Sequence, residues 1–415
     1  MSFLHPIPIT LNAKQCSALF FSASMFLSAC SGPDLRAASA AVVTSEHSSS
    51  AAVNIYAGTG ANELAPEAAK ARPLVYVPNS RGASVTEIDP KTYQVVRTFP
   101  TGKIPQHVVP SYDLKTLWVA NNGGNSLTPI DPVTGQEGTQ IPVDDPYNLY
   151  FTPNGRYAMV IAERAKRVDF RDAHTMRLAH SLHVDCKGLD HVDFTPDGRF
   201  AIASCEFSGQ LVKIDVAKMS VIGYLSLLPD HRNVIKRAIS KIFHRGRHFM
   251  ESPSMPQDVR SSPDGSTFYV ADMKAGGVFL VDPVAFKRTG FIRTGKGTHG
   301  LYPSRDGKSL YVTNRGWDTI FGGRRGPGSI SVLDFASKKV VATWPIPGGG
   351  SPDMGDVSAD GSELWVSGRY DNEVYVFDTK SGALTHRIPV GREPHGLCVW
   401  PQPGRYSLGH TGNMR

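Results

Sequence analysis

The chain has 415 residues, 40% hydrophobic and 20% charged, which is ample material for a core and excludes a chain too polar to fold. Forty Gly and thirty Pro point to a turn-rich all-β protein and away from disorder. The net charge of +7 is concentrated in one segment, described below, so it does not mark a protein that is basic all over.

Residues 1–29 read as a targeting segment. Lys14 supplies a positive flank, Ser17 to Leu27 is apolar or small, and Leu27-Ser28-Ala29-Cys30 fits a bacterial lipoprotein cleavage site. At such a site the Cys30 thiol is acylated and the residue becomes the new N-terminus, while an ordinary secretory signal with an incidental cysteine is the alternative. The apolar run is too short to span a bilayer as a helix. Ser31 after the cysteine points to the outer membrane in a host that has one, so the expected location is the cell envelope. Residues 30–72 are Ala- and Ser-rich and read as a flexible tether, with Val53-Asn54-Ile55-Tyr56 able to add a short strand. With Cys16 removed and Cys30 acylated, Cys186, Cys205 and Cys398 remain. They permit one disulfide, for which Cys186–Cys205 is the sequence-near pair; buried free thiols are the alternative.

One pattern then repeats. An Asp-Gly turn or a relative of it, followed by a β-branched and aromatic strand, recurs at Asp113…Leu117-Trp118-Val119, Asn154-Gly155…Tyr157-Ala158-Met159 and Asp197-Gly198…Phe200-Ala201-Ile202. It returns at Asp264-Gly265…Phe268-Tyr269-Val270, Asp306-Gly307…Leu310-Tyr311-Val312 and Asp360-Gly361…Leu364-Trp365-Val366. A headless copy, Val75-Tyr76-Val77-Pro78-Asn79, opens the series and makes seven. Most copies are spaced roughly 42 residues apart, a period of four-stranded propeller blades. A third-strand signature keeps the register, as in Ile88-Asp89-Pro90, Ile130-Asp131-Pro132 and Val281-Asp282-Pro283. The first copy lacks an innermost strand and the last is followed by a spare one, Pro394 to Trp400. The C-terminal strand is therefore expected to complete the N-terminal blade and remove the open edges. The predicted fold is all-β: a seven-bladed β-propeller over residues 73–402, with residues 403–415 as a tail.

Leu310-Tyr311-Val312-Thr313-Asn314, behind His299-Gly300-Leu301 and Asp306-Gly307, resembles the Tyr-Val-Thr-Asn family of bacterial β-propeller proteins. The resemblance covers roughly residues 74–400 and implies the scaffold; that family is defined by its architecture, so no activity follows from it.

Two insertions break the period. In the larger, about residues 229–256, Val234, Ile235, Ala238, Ile239, Ile242 and Phe243 recur at helical spacing, with Lys236, Arg237, Lys241 and Arg245 on the other side. That predicts one amphipathic helix. Six Lys+Arg against two acids give this insertion +4, and the signal carries +1, which leaves only +2 elsewhere. A local patch of this kind suits an acidic envelope protein, an anionic ligand or lipid headgroups, and disfavours nucleic-acid binding by the whole domain. A rim-packed helix with a solvated basic face is the bland alternative. The smaller insertion, residues 317–328, is glycine-rich and carries Arg324-Arg325. Propeller topology puts both on the face where the innermost strands begin, around the mouth of the central channel, a usual place for ligands.

Counting back from each turn places Gln106, Tyr147, Asp190, Gln257, His299, Asp353 and His395 at that mouth, followed by His107, Asn148, His191, Asp258, Gly300, Met354 and Gly396. Successive strand residues face opposite ways. His299, His395 and Asp353 are thus expected to face the channel, and His107 and His191 to lie between blades unless those strands are locally shifted. Two imidazoles and a carboxylate could hold a divalent metal or an anionic ligand. Arg315 and Arg369, on second-to-third strand connections, would add positive charge, and an exposed Trp317 an apolar wall. The alternative is that these histidines only hydrogen-bond neighbouring blades. His180-x-x-His183-x-x-Cys186 is weak as a metal site, because its histidines fall on opposite faces of a strand. No nucleophile motif, Walker loop, dinucleotide fingerprint or haem-attachment Cys-x-x-Cys-His is present, although a non-covalent cofactor needs none. These features lead to a monomeric, lipid-anchored envelope propeller that binds a ligand or protein through its insertion-bearing face. A metal-assisted lactonase or lyase using the same mouth is the other reading.

Overall fold

The repeating turns decide the local structure. In Asp-Gly turns the carboxylate bonds the chain two residues on, and the glycine takes a left-handed conformation. Asp264 Oδ1 accepts from Ser266 N at 3.0 Å while Gly265 sits at φ +70°. Strands joined this way form antiparallel meanders. The computed structural model describes residues 53–228, 252–409 and 413–415, all within the unit Ser50–Arg415. It contains seven four-stranded sheets, arranged as the blades of a propeller. The innermost strands of blades 2 to 7 are Pro105–Pro110, Pro146–Phe151, Leu189–Phe194, Pro256–Ser261, Thr298–Pro303 and Pro352–Val357. Blade 1 is completed from the far end of the chain: Cys398–Trp400 lies antiparallel to Leu74–Asn79, pairing Leu74 with Trp400 and Tyr76 with Cys398. The expected closure is what is observed.

The core lies between the blades. Tyr76, Val108, Leu117, Val119 and Trp400 fill the space between blades 1 and 2, and equivalent layers recur around the ring. Buried aspartates stitch the innermost strands together. Asp193 accepts from Ser261 N at 2.8 Å, Asp258 from Leu301 N at 2.9 Å, and Asp356 from Val399 N at 3.1 Å. Each carboxylate thus satisfies an amide of the next blade. Asp258, expected at the mouth, is one of these stitches. Its carboxylate also meets Arg260 at 3.3 Å, and burial pushes it up to about 6.

Three expectations change. Of the stretch 30–72 read as a tether, residues 53–72 pack on the propeller: Ala68 is fully buried and Tyr56 donates to Ser261 O at 3.0 Å. Val53 to Tyr56 form no strand; Ile55 N instead bonds Pro263 O. The tail is also packed, with Leu408 and Met414 buried and Arg415 donating to Asp193 at 2.9 Å. Both segments cover the face that carries the first-to-second strand turns, opposite the mouth. Among the described residues there are three short 3-10 turns and no α-helix. The stretch 229–251, with Lys236, Arg237, Lys241 and Arg245, lies outside the described residues. Cys186 and Cys205 are joined as a disulfide, and Cys398 is free and buried.

Candidate functional site

Each complete innermost strand slips register within its first residues, between Pro105 and His107 in blade 2 and between Leu189 and Val192 in blade 4, for example. Such a slip breaks the strict alternation of side chains. With the alternation broken, His107 and His191 come against His299 and His395, and the four imidazoles meet. Ring centroids are 4.9 Å apart for His107–His395, 5.5 Å for His107–His191, 6.4 Å for His191–His299 and 6.0 Å for His299–His395. His107 and His191 therefore do not lie apart between blades. Gly396 makes room for the His107 ring, since a Cβ there would overlap Nδ1.

Asp353 is the hub of one side of the mouth. His395 Nδ1 lies 2.7 Å and Arg369 3.2 Å from its Oδ2, and Arg315 Nε lies 3.3 Å and His299 Nε2 3.4 Å from its Oδ1. Burial opposes its ionisation, but Arg315, both histidines and Arg369 outweigh this and hold it well below the usual carboxylate range. Burial lowers His299 and His395 below the ordinary imidazole value, against the pull of Asp353, so both are neutral at pH 7. Two guanidiniums and one carboxylate leave this side with one net positive charge. Both histidines are buried, at 2% and 0% exposure, so their removal would disturb packing as well as the mouth.

Arg315 and Arg369 follow directly on the second strands of blades 6 and 7, Ser309–Asn314 and Glu363–Gly368. Arg315 donates to the Tyr370 hydroxyl, and Tyr370 donates to Ile320 O at 2.6 Å, which ties the 317–328 loop to the mouth. Trp317 is half-buried, not exposed. Gly322 and Gly326 pack against its indole, and it does not line the cavity.

Asp190 begins the other side. His191 Nε2 approaches it at 3.2 Å, and burial together with Glu206 and Glu163 raises it well above the carboxylate range. Those two glutamates were not among the candidates. Glu163 and Glu206 follow the second strands of blades 3 and 4, Tyr157–Ala162 and Phe200–Cys205, in the register that supplies Arg315 and Arg369. Extending that register around all seven repeats would have found them. Burial and neighbouring acids push Glu163 up to about 8, and burial raises Glu206 despite a 2.9 Å hydrogen bond from Gln257. The disulfide supports this wall: Cys205 directly precedes Glu206, and Glu206 N bonds Gly188 O at 2.6 Å, beside Cys186.

Between the two sides lies a cavity of about 160 Å³, lined by Gln106, Tyr147, Glu163, Glu206, Gln257, His299, Arg315 and Arg369, with Phe207 and Ile320 at its edge. Among the described residues no three His, Cys, Asp or Glu side chains converge as metal ligands would. The one carboxylate between His299 and His395 is already shared with two guanidiniums, which oppose a cation. His180 and His183 lie exposed on an outer strand, and Cys186 is committed to its disulfide.

The model of the YNCE-like beta-propeller family matches residues 39–221 and 319–403. The chain belongs to that family. None of the curated proteins matches it. Similar solved structures include Kuenenia stuttgartiensis hydrazine synthase, with a TM-score of 0.55 and 19% identity over 70% of this chain and 87% of that one. Dihydro-heme d1 dehydrogenase NirN, in complex with DHE, scores 0.55 at 14% identity over 80% and 75%. A putative 6-phosphogluconolactonase from Bacteroides uniformis scores 0.59 at 17% identity over 78% and 98%. At these identities the likeness concerns the propeller fold alone.

Proposed function

We propose that this YNCE-like propeller is a lipid-anchored envelope protein of the Tyr-Val-Thr-Asn repeat type that binds a small anionic molecule at the channel mouth. The observation that carries the reading is the cavity flanked by Arg315 and Arg369. Their side chains are 2% and 19% exposed, Arg315 Nε faces Asp353 Oδ1 at 3.3 Å, Arg369 Nε makes no hydrogen bond among the described residues, and Asp353 neutralises only one of the two charges. A carboxylate or phosphate would supply the missing counter-charge and acceptors. A neighbouring groove on the same face, lined by Arg81, Arg324 and Arg392 with Glu393, would draw anions towards it. The cavity's 160 Å³ falls below the range usual for drug-sized ligands, which favours a small molecule over a haem-type macrocycle.

One observation supports the envelope placement: the Cys186–Cys205 bond suits an oxidising compartment. Fatty-acid labelling that is lost in Cys30→Ser tests the anchor, and persistent labelling would refute it. For the site, calorimetric titration with butyrate and inorganic phosphate should show binding that weakens at least tenfold in Arg369→Gln. Absence of binding in the unaltered protein would refute it.

A second reading rests on Glu163. A carboxyl that titrates near 8 inside a cavity facing guanidiniums has the placement of a general acid–base. Lactone hydrolysis above the buffer rate, abolished in Glu163→Gln, would make the protein an enzyme of the lactonase type.

A further inference from the structure

The residue that follows the second strand has a different character around the ring. From blade 1 to blade 7 it is Ser80, Asn122, Glu163, Glu206, Met273, Arg315 and Arg369. Both acids fall on blades 3 and 4 and both bases on blades 6 and 7, across the channel from each other. Asp190 of blade 4 adds a third carboxyl to the acid side, and the four charged residues of this register line one cavity. Resting on the anion-binding reading above, we infer that the cavity takes a small zwitterion, with its carboxylate or phosphate against Arg315 and Arg369 and its ammonium against Glu163 and Glu206.

The acid side is built for a cation that the ligand brings. Gln257 donates to Glu206 at 2.9 Å, and His191 meets Asp190 at 3.2 Å. The nearest base in sequence, Arg164, is engaged by Asp145 at 2.6 Å. The buried carboxyls of Glu206 and Asp190 and the partly buried one of Glu163 repel one another when ionised, so they resist full charge unless a positive group joins them. An ammonium donates up to three hydrogen bonds and can serve several carboxylates at once. A plain anion gains only from the guanidinium side, and a plain amine only from the acid side. A molecule that carries both charges gains from both, and Gln106, Tyr147 and Gln257 would meet polar atoms between them.

Matched probes test this by isothermal titration of the full chain. The series are ω-amino acids from β-alanine to 6-aminohexanoate, the linear carboxylates of equal length, and the corresponding linear amines. At the chain length that spans the cavity, the amino acid should bind at least tenfold more tightly than either single-charge analogue. In Glu163→Gln combined with Glu206→Gln, with folding checked by thermal melting, the affinities of amino acid and carboxylate should converge. Carboxylates that bind as tightly as the amino acids would overturn the zwitterion and leave the anion site standing, and amines that do so would also overturn it. No binding by any series would overturn both readings.

Discussion

Replacing Asp353 by Asn keeps the shape of the hub and removes its charge. The carboxylate stands 3.2 Å from Arg369 and 3.3 Å from Arg315, and both guanidiniums stay in place without it. Each such pair is worth about 4 kcal/mol at 4 Å and an effective dielectric of about 20, much of it offset by the cost of burying the charges. Breaking one side of a buried ion pair typically costs about 3–5 kcal/mol. That is a third or more of the stability of many domains, about 5–15 kcal/mol. Urea denaturation at pH 7 should therefore show an unfolding free energy lowered by that amount, seen as a lower midpoint with an unchanged slope. Asp353 is held well below its ordinary value, so its contribution is present above about pH 4 and is lost as the pH falls through the native value. The two proteins should converge only in strong acid. The variant's mouth also carries a second uncompensated positive charge, so phosphate should stabilise it more than it stabilises the parent. Ligand at a hundred times its dissociation constant would restore about 2.7 kcal/mol. A loss below about 1 kcal/mol, or equal phosphate stabilisation of both proteins, would refute the assigned electrostatics.

The other predictions concern closure, titration and the disulfide. A chain ending at Glu393 loses Leu397, Val399 and Trp400, all buried, at about 1.5–3 kcal/mol each, and should be insoluble or molten; a soluble, cooperatively melting product would show that the ring closes without them. Glu163 is raised from 4.5 to about 8, so its contribution is full below pH 4.5 and is lost as the pH rises to 8. The parent should thus lose on the order of a few kcal/mol between pH 5 and pH 8.5 that Glu163→Gln retains, and parallel stability curves would contradict this. Cys186→Ser opens a loop with a sequence separation of 19 and should cost about 3 kcal/mol, a difference that vanishes when both proteins are reduced. A reductant that leaves the parent's melting temperature unmoved would count against it.

The number of blades, their order and the closing strand were all readable in the sequence. They rest on local chemistry: Asx-Gly turns need a left-handed residue, and strands of β-branched and aromatic residues follow at a fixed period. Arg315 and Arg369 were legible for the same reason, since their position is counted from a strand end. Glu163 and Glu206 stood in that same register, but nothing local distinguishes a buried acid beside a cavity from one in solvent. Their significance comes from blades 6 and 7, more than a hundred residues away in the chain. The meeting of His107 and His191 with His299 and His395 also needed the folded ring. Strict alternation separates the two positions, and the register slip that brings them together becomes visible only when each innermost strand is paired with its neighbour. Asp258 shows the converse, because its role as a stitch depends on the Leu301 amide of the next blade. Turn chemistry and period are properties of a short segment, whereas facing, burial and charge balance at the mouth belong to the closed ring.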